Sequence, residues 1–458
     1  MSGVTGDNPY RASGVVAALA EGRTGTVDWD TTPKTGTVTA ESAVGYFINT
    51  TSGGITVNLP AGAAGSIVAI ADYTRTFNTN NCTVTPNGSE KMGGGDAGGS
   101  VTLSVNGQSA TFVYVDGTEG WINVQETESS KAGPVSLYVT ATGGAATLTV
   151  GDFKTHVFTG PGTLCVSCAG NACGSTTVDY LVSAGGGGGG GGSGGAGGAG
   201  GFRLSNSVGC IAAPVMSPLA NPTGITVSAT GYPIVVGGGG AAGSGTSLPG
   251  SRGVQGATSS FSTISSAGGG YGGGGVPPGG GGEPGGAGGS GGGGRGGPGP
   301  TSGYPGGAGD TPDVTPDQGF AGGAGYDAHS ASTNGGGGGG AAAVGANSAY
   351  KTGGAGGAGS YLGDGFFGPT APSYGEAGPV SSTRYFSGGG GGATDSGLPG
   401  ASGGAGGVGG GGDGNEGGSG CGCAGVTNTG GGAGSGSGAP SSGGVGGPGI
   451  VTIRYKFQ

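Results

Sequence analysis

The chain has 458 residues, of which 133 are Gly and 25 Pro, about a third in all, a share that without a strict triplet usually signals low complexity or disorder. Charged residues are only 8 % and the net charge is −10, which excludes the basic footprint of a nucleic-acid binder. No apolar run approaches the ~20 residues of a membrane helix, so no membrane insertion is expected, and the unbroken glycines of 185–192 exclude a collagen triplet.

The length predicts two to four domains, and the glycines place the main boundary. Residues 1–184 hold 28 of them and residues 185–458 hold 105. Residues 1–25 read as an extended arm, with Asn8, Pro9, Tyr10 and Arg11 as candidates for attachment to a larger body. The opening lacks a basic stretch followed by an apolar core, so it does not read as a secretory signal. Residues 26–126 carry short alternating segments: 45–49, 55–59, 65–70, 82–85, 100–105, 110–115 and 121–124. Strands at about ten-residue spacing with Pro-Asn-Gly turns predict a β-sandwich or jelly-roll-like module. Residues 127–184 hold further strands and read as a β base. Val178–Val182 matches the apolar alternation of Ile450–Tyr455, so these two segments are expected in one sheet, bracketing the glycine-rich region between them. The fold class expected is all-β.

Residues 185–449 predict a bundle of polyglycine II helices. Ordering glycine costs more backbone entropy than ordering any other residue. That cost is offset only if backbone amides bond to neighbouring chains. The extended three-fold helix has no internal hydrogen bonds, so its amides are free to do this wherever nothing larger than hydrogen intrudes. Twelve glycine runs fit the pattern, among them 185–201, 279–297, 335–340 and 430–449. Ala196 and Ala199, like Ala405 and Val408, punctuate their runs every third residue. Aromatics recur between the runs, unlike in disordered linkers. Closure is assigned to 450–458, and little side-chain core is expected within 185–449.

The run Thr155–Thr163, then Asp179–Ala184 leading into polyglycine, with Gly449–Tyr455 at the end, resembles the glycine-rich domains of phage tail-fibre and environmental viral proteins. Tyr46–Asn49, Val57–Pro60, Gly65–Ile67, Ala71–Tyr73 and Gly120–Trp121 resemble a β module of fibre proteins from cyanobacterial viruses. The tip adhesins of T-even-like phages are similar in carrying a polyglycine bundle whose loops touch the host. The resemblance implies a virion fibre, in the tail or the capsid, with a host-receptor-binding tip. It also implies other virion proteins as partners, a homotrimer or a monomeric bundle on a trimeric fibre, and assembly in the host cytoplasm. A non-viral extracellular filament or surface-layer protein is the alternative.

Aromatic and polar side chains on a rigid scaffold suit recognition of a protein or glycan. The candidates are Tyr304, Tyr326, Tyr350, Tyr361, Phe366, Phe367, Tyr374, Arg384 and Tyr385, with the connection 360–387 foremost; capping of the bundle ends is the other role for the phenylalanines. No catalytic constellation is read, so neither an enzyme nor a cofactor is expected. His156 lies in a strand pattern and His329 in a polar loop, too sparse for a metal site. Cys165 and Cys168 have CxxC spacing without a second pair. Cys173 could bridge either across a hairpin, with free thiols the default in a reducing cytoplasm. Asp310, Asp313 and Asp317 could hold Ca²⁺ weakly but lack EF-hand spacing.

Overall fold

The computed structural model describes residues 27–125, 137–172, 174–245, 251–274, 282–297, 303–327, 333–367, 374–379, 383–394, 399–417, 420–438 and 440–458. Asn8, Pro9, Tyr10, Arg11, Cys173 and His329 lie outside these residues. Two compact units form, one from residues 1–137 with 171–174 and one from 138–170 with 175–458. The described structure is all-β apart from one short helical turn.

The first unit contains β1 (Asp28–Lys34), β2 (Val38–Thr39), β3 (Val44–Ile48), β4 (Ile55–Asn58), β5 (Ile67–Asp72), β6 (Cys82–Thr85), β7 (Val101–Leu103), β8 (Ser109–Tyr114) and β9 (Trp121–Asn123). Two sheets, ordered β1-β3-β5-β8-β9 and β2-β4-β6-β7, enclose a core that includes Ile48, Val57, Phe77, Phe112 and Trp121. That is a sandwich, but not of the jelly-roll kind. From β1 to β6 the chain alternates between the sheets, so β1 to β3, β3 to β5, β2 to β4 and β4 to β6 pair in parallel, where a jelly roll pairs antiparallel. β1 and β2 escaped the sequence reading. Asp28, Asp30 and Pro33 are poor strand formers, tolerated because β1 is an edge strand.

The second unit opens with a β base. Its strands are β10 (Val139–Thr142), β11 (Ala146–Val150), β12 (Phe153–Phe158), β13 (Gly162–Ala169), β14 (Thr177–Ser183), β15 (Phe202–Ser205), β16 (Ala220–Asn221), β17 (Ile225–Thr226), β18 (Gly231–Val235), β19 (Ser259–Phe261) and β20 (Ile264–Ser266). After the small ladder of β21 (Tyr326–Asp327) and β22 (Thr333–Asn334) come β23 (Ser360–Gly363), the turn α1 (Asp364–Phe367), β24 (Glu376–Ala377), β25 (Thr383–Phe386) and the closing strand β26 (Ile450–Lys456).

β26 lies between β12 and β14, antiparallel to both. The bracketing segments therefore share a sheet, in the register Asp179↔Arg454 to Ser183↔Ile450. Alternation sends successive residues of these strands to opposite faces. Val178, Tyr180, Val182, Val451, Ile453 and Tyr455 join a core with Leu164, Ile234 and Phe261. Leu181 and Ile450 join another with Val157, Phe202, Leu204, Leu362 and Phe386. The described residues of 185–449 thus contribute far more side-chain core than their composition predicts, its large side chains clustered where they meet the base.

Above the base stands the bundle, and its hydrogen bonds repeat every three residues. Gly185 and Gly188 donate to Ala257 and Val254, Gly186 and Gly189 to Gly447 and Gly444, Gly187 and Gly190 to Gly198 and Gly195, at 2.8–3.0 Å. The same run accepts from Gly269 and Gly272, Gly240 and Gly243, and Ala433 and Gly436. Six neighbours thus surround one run: the acceptors run antiparallel to it and the donors parallel. A Cβ on any glycine of 185–190 would come within 3.0 Å of a neighbouring carbonyl. That neighbour also changes with period three: 238 and 241, then 431 and 434, then 270 and 273. The small punctuating residues face both ways. Ala196 and Ala199 are fully buried, whereas Ala405 is exposed and Val408 half-buried.

Candidate receptor-binding surface

The hydrogen-bond register assigns each connection to one end of the bundle. Gly185 adjoins β14, so its end is the base, and Gly192 marks the far end. Arg295 reaches the Gly192 carbonyl through Nη2 at 3.4 Å. Tyr304 N donates to Arg295 O at 3.0 Å, and Gly325 N to Tyr304 O at 2.9 Å. Tyr304 and Tyr326 therefore lie at the far end, both half-buried. Tyr350 lies there as well. It is 51 % exposed, at the tip of a tight turn closed by reciprocal bonds between Ala349 and Thr352. Lys351 follows with φ of 59°, its Nζ 5.6 Å from the Tyr350 ring centre and 3.1 Å from the Pro399 carbonyl.

Buried polar side chains tie these turns together. Thr394 Oγ1 donates to Asn334 Oδ1 at 2.6 Å, and Asn334 Nδ2 donates to Ala349 O at 2.5 Å. Ser348 Oγ donates to Asn334 O at 2.9 Å. Ser437 Oγ donates to Asn415 Oδ1 at 2.7 Å, and Thr394 N to Asn415 O at 3.1 Å. A satisfied network of this kind rigidifies what it supports.

The other six candidates sit at the base end. Phe366 and Phe367 are 1 % exposed and pack with Phe386, Leu362, Leu181 and Ile450. They are core, because β23 to β25 fold back onto the outer face of the base sheet. Tyr385 is 6 % exposed, its ring centre 5.1 Å from that of Tyr361. Burial, then the neighbouring Tyr361, push its hydroxyl pKa up. Tyr374 stacks on Phe367 at 6.1 Å, and Arg384 is half-buried in β25. The described part of 360–387 thus packs on the base, where Tyr361, Tyr374 and Arg384 are half-buried as Tyr304 and Tyr326 are at the far end, and Tyr350 is the exposed one of the nine. Glu376, which sequence reasoning missed, accepts from Gly409 N and Gly410 N, both at 2.7 Å. The signal was an acidic residue available to two adjacent glycines that turn with positive φ.

Residues 159–456 match the model of the glycine-rich domain family. The chain belongs to the glycine-rich domain family. No curated protein matches it.

Several other titratable groups of the second unit have structural surroundings. Nδ1 of His156 donates to Gly143 O at 2.7 Å, and Nε2 lies 3.0 Å from the Tyr455 hydroxyl, which donates to Ala141 O at 3.3 Å. Burial holds the ring's pKa below its ordinary value. Asp179 accepts from Ser205 Oγ and Ser207 N at 2.8 Å and from Val208 N at 2.7 Å, with Arg454 Nη1 3.8 Å away. The hydrogen bond and charge of neighbouring Asp310 push the Asp313 carboxyl pKa up. Among the described residues no three metal-ligating side chains cluster. Cys165 and Cys168 lie in β13 as free thiols.

Proposed function

We propose that the chain is a structural protein of a viral particle, a tail or capsid fibre, whose glycine-rich domain presents a host-receptor-binding surface at its far end. The observation that carries this reading is the hydrogen-bonded support beneath the Tyr350 turn. Rigid presentation lowers the entropy cost of binding, and tyrosine supplies contact area with few rotors. In this reading the protein binds without catalysing a reaction and needs no cofactor. The first unit joins it to other virion proteins, in a homotrimeric fibre, and the receptor is a protein or glycan of the host surface.

The test replaces Tyr326 and Tyr350 by Ala in assembled particles. Loss of two such contacts lowers adsorption to host cells by roughly tenfold or more, with particle yield and morphology unchanged. Wild-type adsorption by those particles overturns the assignment.

A further inference from the structure

Cys165 and Cys168 lie three positions apart in β13, a spacing that in a regular strand puts side chains on opposite faces. A β-bulge changes that. Thr142 pairs with Cys165 and Ala141 with Val166, but Thr140 pairs with Cys168, which leaves Ser167 as an extra residue. Residues directly opposite each other in a ladder share a face. Val139, Ala141, Leu164 and Val166 are buried in the core of the base. Thr140 and Thr142, both exposed, therefore mark the outer face, and the two thiols share it with them. Cys165 is exposed, Cys168 is half-buried, and both are free thiols. Gly231 stands opposite Cys165 on the other neighbouring strand, so no side chain covers the sulfur from there. Ser167 Oγ is tied to the Thr140 carbonyl at 3.2 Å. Beyond Cys168 the chain turns at Gly170, with φ of 71°, a conformation open to glycine. The Gly170 N–H donates to Cys168 Sγ at 3.4 Å.

We infer that Cys165 and Cys168 bind one cuprous ion between their sulfurs. Soft thiolates select Cu(I), whereas structural zinc takes four ligands and calcium takes six or more oxygens. Among the described residues no three His, Cys, Asp or Glu side chains form a metal-holding group. The site thus offers two sulfurs, the number that a linear cuprous centre uses. Binding releases one proton from each thiol and leaves an anionic bis-thiolate complex. No electron moves, so no oxidant or reductant is consumed. The Gly170 N–H then donates to a charged sulfur, and a hydrogen bond to an ionised acceptor is the stronger kind. The site lies on the base of the second unit, and neither it nor the far-end surface rests on the other.

The experiment uses the full chain carrying C173S, C210S, C421S and C423S, which keeps the pair and the buried Cys82. The probe is Cu(I), presented without oxygen as its coloured bicinchoninate complex. The chain should withdraw about one equivalent, and X-ray absorption should show copper with two sulfur neighbours. C165S and C168S, each added to that chain, should weaken binding by roughly a hundredfold or more, beyond what loss of a supporting contact costs, with the thermal midpoint unchanged. Blocking the thiols of the folded chain with methyl methanethiosulfonate should abolish uptake and reduction should restore it, which tests the pair whatever the stability of the variants. The inference is overturned if the chain leaves the bicinchoninate complex intact, if either serine variant or the blocked chain takes up copper as the parent does, if copper shows three or more protein ligands, or if Zn(II) displaces it.

Discussion

His156 sits in surroundings that disfavour its charged form. The Gly143 carbonyl takes the Nδ1 proton, and Nε2 lies 3.0 Å from the Tyr455 hydroxyl, which also reaches Ala141 O at 3.3 Å. Burial is the main cause that lowers the ring's pKa from 6.5. The sign of the effect follows from linkage. Above pH 6.5 the ring is neutral in both folded and unfolded chains. As pH falls below that value the unfolded chain takes up the proton first, so stability drops until the lowered folded pKa is reached. Denaturant midpoints of the second unit should therefore fall between pH 7 and 5, and H156Q should flatten that part of the profile. An unchanged slope in the variant would assign the pH dependence to other groups. The structural role of this residue was legible from its place in an alternating strand. Its partner in Tyr455, almost three hundred positions away, was not.

At the scale of elements, the polyglycine run obeys a rule that two neighbouring positions test. Gly240 has the Val254 carbonyl where a Cβ would go, whereas Gly238 has open space around that point. G240A should cost roughly 1–3 kcal/mol or more through overpacking. G238A should be neutral, or stabilising by about 0.4–1 kcal/mol through the unfolded chain. Equal melting temperatures for the two variants would refute the close backbone packing on the inner side of this run. The three-residue punctuation revealed the helix type, since one residue per turn falls on each edge. It did not reveal which edge was inside. Ala196 and Ala405 look alike in sequence, yet one is buried and the other exposed. Composition near a run also hid several reversals. The runs 185–201, 279–297 and 430–449 each double back within glycine, at Ser193, near Gly289 and at Gly438. Every hidden reversal changes the end to which later connections belong. That is why 360–387, the richest aromatic connection, was expected at a binding tip, while its buried phenylalanines Phe366, Phe367 and Phe386 lie in the core at the base.

At the scale of the whole molecule, the closing strand holds the second unit together. β26 is central in its sheet, contributes Val451, Ile453 and Tyr455 to one core and Ile450 to the other, and brings Arg454 to Asp179. A chain stopped after Pro448 leaves Asp179 buried beside no cation. It also opens both cores along their length. The truncated chain should lose the cooperative thermal transition of the second unit, read by calorimetry, even though the lost segment holds no bundle run. A normal transition would show that the bundle's backbone lattice stands without its base.

The sequence by itself determined the all-β class, the glycine boundary, the matched strands at either side of it and the three-fold character of the runs. Each follows from local propensity or from what a missing Cβ permits. Only the tertiary structure decided the parallel pairing of the first unit, the end of the bundle to which each turn belongs, and the separation of capping aromatics from presented ones. These depend on how many times the chain reverses and on which faces meet. Glycine, with no side chain to mark inside from outside, leaves neither trace in the sequence.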